Sequence, residues 1–416
     1  VRIKLTPLLP GFGLLAAAAA SPAIAADPST GWSGPALPTA PMSVADAAAI
    51  DQLARDALAK NPDLPGLWIG IWDPARGVYL QAYGRAVKGG ATATIADHGR
   101  VGSVTKTFTV VAALEQVASG HLKLESTIEE VLPDLARKYP AIARITVDQL
   151  AGMRSGIQDF ANTGIVIKGV AADPTKIWTA DDLIDAAMTL PLSAPGTGGY
   201  STTNTIILGK MLERLTGKKI EPIVTDVARR AGLRQSALQA PGVTKMPDPA
   251  SHGYVAATGA KELEALGAVV APGTDVSEWT VSWGQAGGGM YATIADLGKW
   301  AGTGLGSRLL PVDLANRRLA TQKIPEGDYG LGIHDWGAGW IGHTGQFIGW
   351  ESLVAYNTKT GAAFVAIVNE TGSFMSALDV GLQVFPDLNG LLERRRNPDS
   401  PADASLVKTL GSLAAL

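Results

Sequence analysis

Apolar positions recur at two different spacings along this chain, and the order of the two implies a helical block set inside a sheet. Leu67 to Asp73 and Val78 to Ala82 are rich in apolar and aromatic residues and flank the turn Pro74-Ala75-Arg76-Gly77, which predicts two antiparallel strands. Ahead of them, Ser43 predicts the cap of a helix running through Lys60. From Ser103 to about Gly232 helical spacing takes over. Phe108, Val111, Leu114 and Val117 mark one helix, Thr107 to Gly120, and Asn204 to Leu215 reads as another. Strand patterns return at Gly339 to His343, Glu351 to Asn357 and Ala362 to Asn369, the last two joined by Thr358-Lys359-Thr360-Gly361. A closing helix is predicted from Met375 to Phe385. Early strands, a helical middle and late strands predict an α+β fold, one sheet whose first and last parts pair across a helical insertion. No internal repeat is evident.

The ends of the chain have a different character. Arg2 and Lys4, the apolar stretch from Leu5 to Ala20 and the small residues Ala23-Ile24-Ala25 predict a secretory signal over residues 1–25. Pro7 and Pro10 interrupt that stretch, which falls short of the roughly 20 apolar residues of a spanning helix. Residues 26–42, rich in Pro, Ser, Thr and Gly, predict a flexible leader. The main domain is expected over 43–395, and Asn397-Pro398-Asp399-Ser400-Pro401 introduces a tail within 396–416. The expected location is therefore extracytoplasmic: periplasm, cell envelope or medium.

Composition narrows the partners. Of 416 residues, 46% are hydrophobic and 18% charged, a globular balance large enough for a two-lobed enzyme with a substantial core. A net charge of −3 supplies no basic field for nucleic acid or anionic lipid. The chain has no cysteine, which excludes disulfides and thiolate chemistry. His98, His121, His252, His334 and His343 are scattered without metal-ligand spacing, so neither a metal nor another cofactor is implied. There is no G-x-S-x-G elbow, and Gly287-Gly288-Gly289 lacks the Lys-Ser/Thr of a phosphate loop, reading instead as a tight turn under Trp283.

The candidate chemistry lies in three segments. Ser103-Val104-Thr105-Lys106 puts a hydroxyl and an amine three residues apart on one helical face. A serine hydroxyl needs a base, and a lysine serves only where its pKa is depressed enough for neutral amine to persist. Pro195 to Ser201 is a turn cluster that delivers Tyr200 just before a helix, and Trp340 to Gly345 is a short strand ending in His343-Thr344-Gly345. The order S-x-x-K, Y-S-x, H-T-G resembles the penicillin-recognising serine hydrolases, which include class C β-lactamases, serine DD-carboxypeptidases and related esterases. Arg100 to Phe108, Ile145 to Leu150 with Arg154-Ser155-Gly156-Ile157, Thr280 to Gln285, and Tyr329-Gly330-Leu331-Gly332 are similar to the secreted DD-carboxypeptidase branch. This likeness runs from about Asp63 to Glu370.

The resemblance implies a β-lactamase/DD-peptidase-like two-lobed fold, an antiparallel sheet flanked by helices plus an all-helical lobe, with the site in the cleft between them. It implies an acyl-enzyme on Ser103, with Lys106 or Tyr200 as base. The amides of Ser103 and Gln346 would hold the oxyanion, and a nearby Lys106 ammonium would lower the Tyr200 pKa. His343 would complete the electrostatics and orient Thr344, and Trp283 would wall the acyl pocket. Thr202, Trp283, Thr344, Gly345 and Gln346 are thus the expected substrate contacts. Two departures stand out. Thr202 replaces the family's asparagine, and Asn204 faces elsewhere on its helix. Ile333-His334-Asp335-Trp336-Gly337-Ala338-Gly339 carries no arginine where carboxypeptidases of this branch hold the terminal carboxylate of the substrate. The expectation is a small peptide, ester or β-lactam substrate, with no nucleic acid and no stable membrane insertion. A D-alanyl-D-alanine carboxypeptidase-like peptidase leads, followed by an esterase, then a β-lactamase, with a non-catalytic penicillin-binding sensor as the distant alternative.

Overall fold

The computed structural model describes residues 35–389 apart from Gly306; the expected signal, the tail and residues 26–34 lie outside the described residues. Helix α1 (Val44–Lys60) starts where Ser43 accepts the Asp46 amide, and leads into strands β1 (Gly66–Asp73) and β2 (Gly77–Gly84). Helix α2 (Thr105–Ala118) opens the helical lobe, which also contains α3 (Thr202–Thr216) and α4 (Ala257–Ala265). Helix α5 (Ile294–Trp300) leads back to the sheet. There β3 (Gln322–Ile324), β4 (Gly327–Tyr329) and β5 (His334–Gly337) precede β6 (Trp340–Phe347), β7 (Trp350–Asn357) and β8 (Ala363–Val368), and α6 (Phe374–Val384) follows.

The sheet order is β2-β1-β8-β7-β6-β5-β4-β3, every pair antiparallel. First and last strands therefore do pair: Ile69 of β1 stands opposite Ala366 of β8. Side chains alternate between two covered faces. Leu67, Ile69, Ile71, Phe364 and Val368 join a core with Ile50 and Ala54 of α1 and Leu378 of α6. Trp68, Trp72, Val365 and Ile367 point the other way, into the core shared with α2 and the helical lobe. Because both faces are covered, β8 is buried along its whole length and reads as a continuous apolar run.

Several elements differ from the sequence reading. Strands β3, β4 and β5 were not predicted; they are short, and their burial is irregular. The strand predicted to end at His343 continues to Phe347, because β7 pairs with it throughout, Phe347 opposite Trp350. Of the segment expected as a leader, residues 35–42 are described and lie bound to the sheet: the Met42 amide donates to Val78 at 2.9 Å, and the Tyr356 hydroxyl donates to the Pro35 carbonyl at 2.6 Å.

Phe364 sits fully buried at the centre of the sheet, beneath α6. Its replacement by alanine should lower the unfolding free energy by about 3–5 kcal/mol, read as a lower midpoint in urea at unchanged slope.

Candidate functional site

Ser103 belongs to a tight turn, Gly102–Val104, that feeds directly into α2. Gly102 adopts φ +49, and a Cβ there would stand 2.5–2.6 Å from the backbone of Gln346. The Ser103 turn can therefore press against the end of β6. That end is accessible because β5 pairs with β6 only as far as Gly342.

Lys106 is fully buried. Its Nζ lies 2.8 Å from Ser103 Oγ and donates to the Gly287 carbonyl at 2.9 Å. Burial pulls its pKa down to about 7, against a smaller opposing pull from Asp159. Near neutral pH a substantial fraction of the amine is thus uncharged and able to accept a proton. The carbonyl it uses sits in a short helical turn, Gln285–Gly288, rather than a simple tight turn.

Tyr200 precedes α3, its ring half-buried and 4.9 Å from Lys106 Nζ. The hydroxyl is buried. Ser103 lies close enough to bias its titration slightly toward tyrosinate, yet the two hydroxyls fall outside hydrogen-bond geometry. The expected lowering of its pKa by Lys106 is reversed. Burial raises it well above 10, with Tyr329, Asp159 and Glu326 adding to the effect, and a lysine that is itself partly neutral exerts little opposing field.

His343 is buried on β6. Its Nδ1 is 2.5 Å from the Thr344 carbonyl, and its Nε2 is 3.1 Å from the Tyr329 hydroxyl. A carbonyl only accepts, so Nδ1 carries the proton, and Nε2 accepts from Tyr329. Burial, then His334 and Lys106, push its pKa well below the usual range, and the ring is neutral. Thr344 is half-buried beside it, and Gly345 is buried against the chain at Val101.

The remaining expected contacts are spread around this centre. Trp283, half-buried, stacks on Phe347 at 4.4 Å and 18°. Behind Phe347, the buried Arg100 guanidinium stands 5.4 Å from its ring and 5.4 Å from that of Trp350. Gln346 is exposed, and its side-chain amide donates to Glu262 of α4 at 3.1 Å and to Glu351 at 3.3 Å. Thr202 opens α3, where the Asp159 carboxylate caps its amide at 2.7 Å. Among the described residues Lys106 bonds Ser103 and Gly287, not Thr202, so a backbone carbonyl accepts where a short side chain does not reach. Asn204 is turned away, held by Ser155 at 2.6 Å and the Met153 sulfur at 3.4 Å.

Four neighbours were not singled out as site residues from the sequence: Asp159, Glu326, Tyr329 and His334. Tyr329 and His334 stand in segments compared with the carboxypeptidase branch, but only the fold brings their rings to within 6.2 and 6.3 Å of Tyr200. Asp159 and Glu326 come from a turn and a hairpin with no distinguishing local pattern.

Comparison with known proteins bears on the family and the fold. The family model described as Beta-lactamase matches residues 50–384. Penicillin-binding protein 4 of Amycolatopsis lactamdurans is 29% identical over 192 residues, 44% of this chain and 46% of that protein, so the match spans about half of the relative's length. A D-stereospecific amidohydrolase from Streptomyces sp. is 28% identical with a TM-score of 0.67, over 80% of this chain and 98% of the other. D-amino acid amidase from Ochrobactrum anthropi SV3, complexed with L-phenylalanine, superposes with a TM-score of 0.69 at 23% identity, over 85% and 99% of the two chains. The octameric penicillin-binding protein homologue from Pyrococcus abyssi gives 0.67 at 20% identity, over 84% and 81%. These last two establish the fold alone.

The Lys106 geometry predicts a linkage between pH and stability. Its folded pKa of about 7 lies below the value near 10.4 of an unfolded lysine. Between these values the unfolded chain binds more protons, so this group makes the fold more stable as pH rises from about 7 toward 10. The gain approaches about 1.4 kcal/mol per pH unit within that window. Lys106→Met should remove this slope, read from urea unfolding at pH 7 and 9 in both proteins. Equal slopes would mean that Lys106 is charged in the fold.

Proposed function

The chain belongs to the Beta-lactamase family of serine hydrolases, and from that premise we propose an amidohydrolase that forms an acyl-enzyme on Ser103 and cleaves small D-configured amino-acid amides or peptides. The observation that carries the reading is the buried Lys106 amine, 2.8 Å from Ser103 Oγ with a pKa near 7. The D-configured substrate class draws support from the amidohydrolase likeness at 28% identity.

In this reading neutral Lys106 takes the Ser103 proton as Oγ attacks the carbonyl carbon. The oxyanion forms between the amides of Ser103 and Gln346. Collapse breaks the C–N bond, and the departing nitrogen takes a proton delivered through Lys106 and Tyr200. Tyr200 acts as a phenol in this relay, because burial opposes tyrosinate. Water then cleaves the ester by the same path, releasing the acid and restoring the serine. His343, neutral and tied to Thr344, fixes the edge of β6 along which the acyl group lies.

The carboxypeptidase reading has weaker support. Where an arginine would hold a terminal carboxylate, His334 lies against Tyr200, and Asp335 accepts the Gly337 amide in its own turn. A primary amide has no carboxylate to hold. Export from the cytoplasm, argued from residues 1–25, belongs to the same proposal, and N-terminal sequencing of protein secreted by a bacterial host tests it: a mature start at Ala26 is expected, and a retained N-terminus overturns it.

Ser103→Ala should abolish hydrolysis of D-phenylalaninamide and of p-nitrophenyl esters, and wild type alone should show a covalent adduct with a fluorescent penicillin by intact mass. Residual turnover in the alanine variant would refute Ser103 as nucleophile. The base must be deprotonated to act, so kcat/KM should rise with pH through about 7 and level off above it. Lys106→Arg should cost about 10²–10⁴-fold in kcat.

A further inference from the structure

A carboxylate that takes no part in the proposed bond-making is built into the site beside Lys106. Asp159 is buried, and both of its oxygens accept backbone amides, Oδ1 from Ala161 at 3.0 Å and Oδ2 from Thr202 at 2.7 Å. Both oxygens are thus acceptors, as in the ionised form. Among the described residues no cation stands in ion-pair contact with it.

The start of α3 depends on this carboxylate. Ser201 stands at the cap position, but its side chain makes no capping bond, so the free amide of Thr202 is met from outside the helix. The same segment is tied to α3 through Thr203, whose Oγ1 donates to the Gln158 carbonyl at 2.9 Å and accepts the Phe160 amide at 3.1 Å. Tyr200 leads directly into this junction. Thr202 in turn lies against Gly287, where a Cβ would collide with its Cγ2, and the Gly287 carbonyl accepts from Lys106 at 2.9 Å. A short series of contacts therefore runs from Asp159 through Thr202 to the carbonyl that holds the amine.

Few charges face that amine. The Tyr200 ring lies 4.9 Å from Lys106 Nζ, His343 senses the amine from β6, and both side chains are neutral. Ser103 and Gly287 contribute dipoles. Asp159 is the anion whose field reaches Lys106, and it opposes the effect of burial. When Lys106 takes the Ser103 proton, an ammonium forms in a desolvated site, and a fixed anion favours it over the neutral amine. The same field leaves less neutral amine at low pH.

We propose that Asp159 is a positioning residue for the acylation step: its fixed charge favours the Lys106 ammonium that forms as Ser103 attacks, and its amide contacts hold the Tyr200–Thr202 segment in place. This rests on the amidohydrolase reading above, and the test separates the two.

Asp159→Asn and Asp159→Ser remove the charge while keeping an acceptor for the Thr202 amide, and Asp159→Glu keeps the charge. In the pH profile of kcat/KM for D-phenylalaninamide, each neutral variant should retain at pH 6 a fraction of its own plateau about three times that of wild type. The plateau itself should fall about threefold, because a less basic amine is a weaker proton acceptor. Asp159→Glu should keep the wild-type profile. Urea unfolding reads the same effect without turnover. With the Lys106 proton held less tightly in the fold, the rise of stability with pH should begin below 7 in the neutral variants, a difference that Lys106→Met should abolish. A limb that stays in place, an unfolding slope that matches wild type, or an equal displacement in Asp159→Glu would each overturn the proposal and leave Asp159 a helix cap. The predicted unfolding difference without wild-type hydrolysis of the amide would instead sink the amidohydrolase reading and leave the action of Asp159 on Lys106 standing.

Discussion

The site depends on keeping one amine away from water. Lys106 is buried within α2, a helix whose residues from Thr105 to Leu114 are all inaccessible to solvent. A buried polar group must find partners or destabilise the fold. The short turn Gln285–Gly288 supplies them: Gly287 accepts from Lys106, Ala286 accepts from Thr109 at 2.7 Å, and the Met290 amide just beyond donates to Thr105 at 3.2 Å. The approach is close enough that a Cβ on Gly287 would stand 2.8 Å from Thr205 Oγ1 on α3. Glycine at 287 therefore lets α2, α3 and this turn converge on the amine. What depresses the lysine, and would fit it to act as a base, is the same packing that holds the helical lobe together.

A second constraint follows from charge. Burial keeps the groups around Ser103 largely uncharged at rest: Lys106 is depressed, His343 is neutral, and both phenols are protonated, with the Asp159 carboxylate pulling against the depression of Lys106. In the proposed reaction the ammonium of Lys106 and the oxyanion would then appear together, a few ångströms apart, and stabilise each other at the moment they form. A cationic side chain in place of His343 would add a resting charge, to be offset elsewhere. The hydrogen bonds of His343 to Thr344 and Tyr329 occupy both ring nitrogens and hold the ring in place, while burial keeps it neutral.

Much of this was legible in the sequence because it rests on local pattern. The caps, the alternating strands and the three-residue step from Ser103 to Lys106 are short-range features, and the helical block between early and late strands implied the pairing of β1 with β8. The edge strands β3 to β5 were missed, since three- and four-residue segments such as Gln322–Ile324 show no period to detect. Asp159 and Glu326 were missed for a related reason: each acts through a backbone amide 43 or 126 positions away. The direction of the Tyr200 shift was misread because sequence reveals a neighbouring cation but not how far burial neutralises it.

Thr202 shows how a departure from a motif can be absorbed. An asparagine in its place could offer Lys106 a side-chain acceptor, but that acceptor would depend on a rotamer and on whatever else the amide contacts. In this chain the Gly287 carbonyl accepts instead, held by a turn that is itself bonded to α2. The amine is then positioned by the scaffold. Thr202 is left to open α3, its amide capped by Asp159, the carboxylate whose field also pulls back against the depression of the Lys106 pKa. In the proposed reaction, threonine at 202 would therefore alter what a substrate can touch more than how the Lys106 amine is held. Variation at this position would be expected to move substrate preference first, and proton transfer only through Asp159.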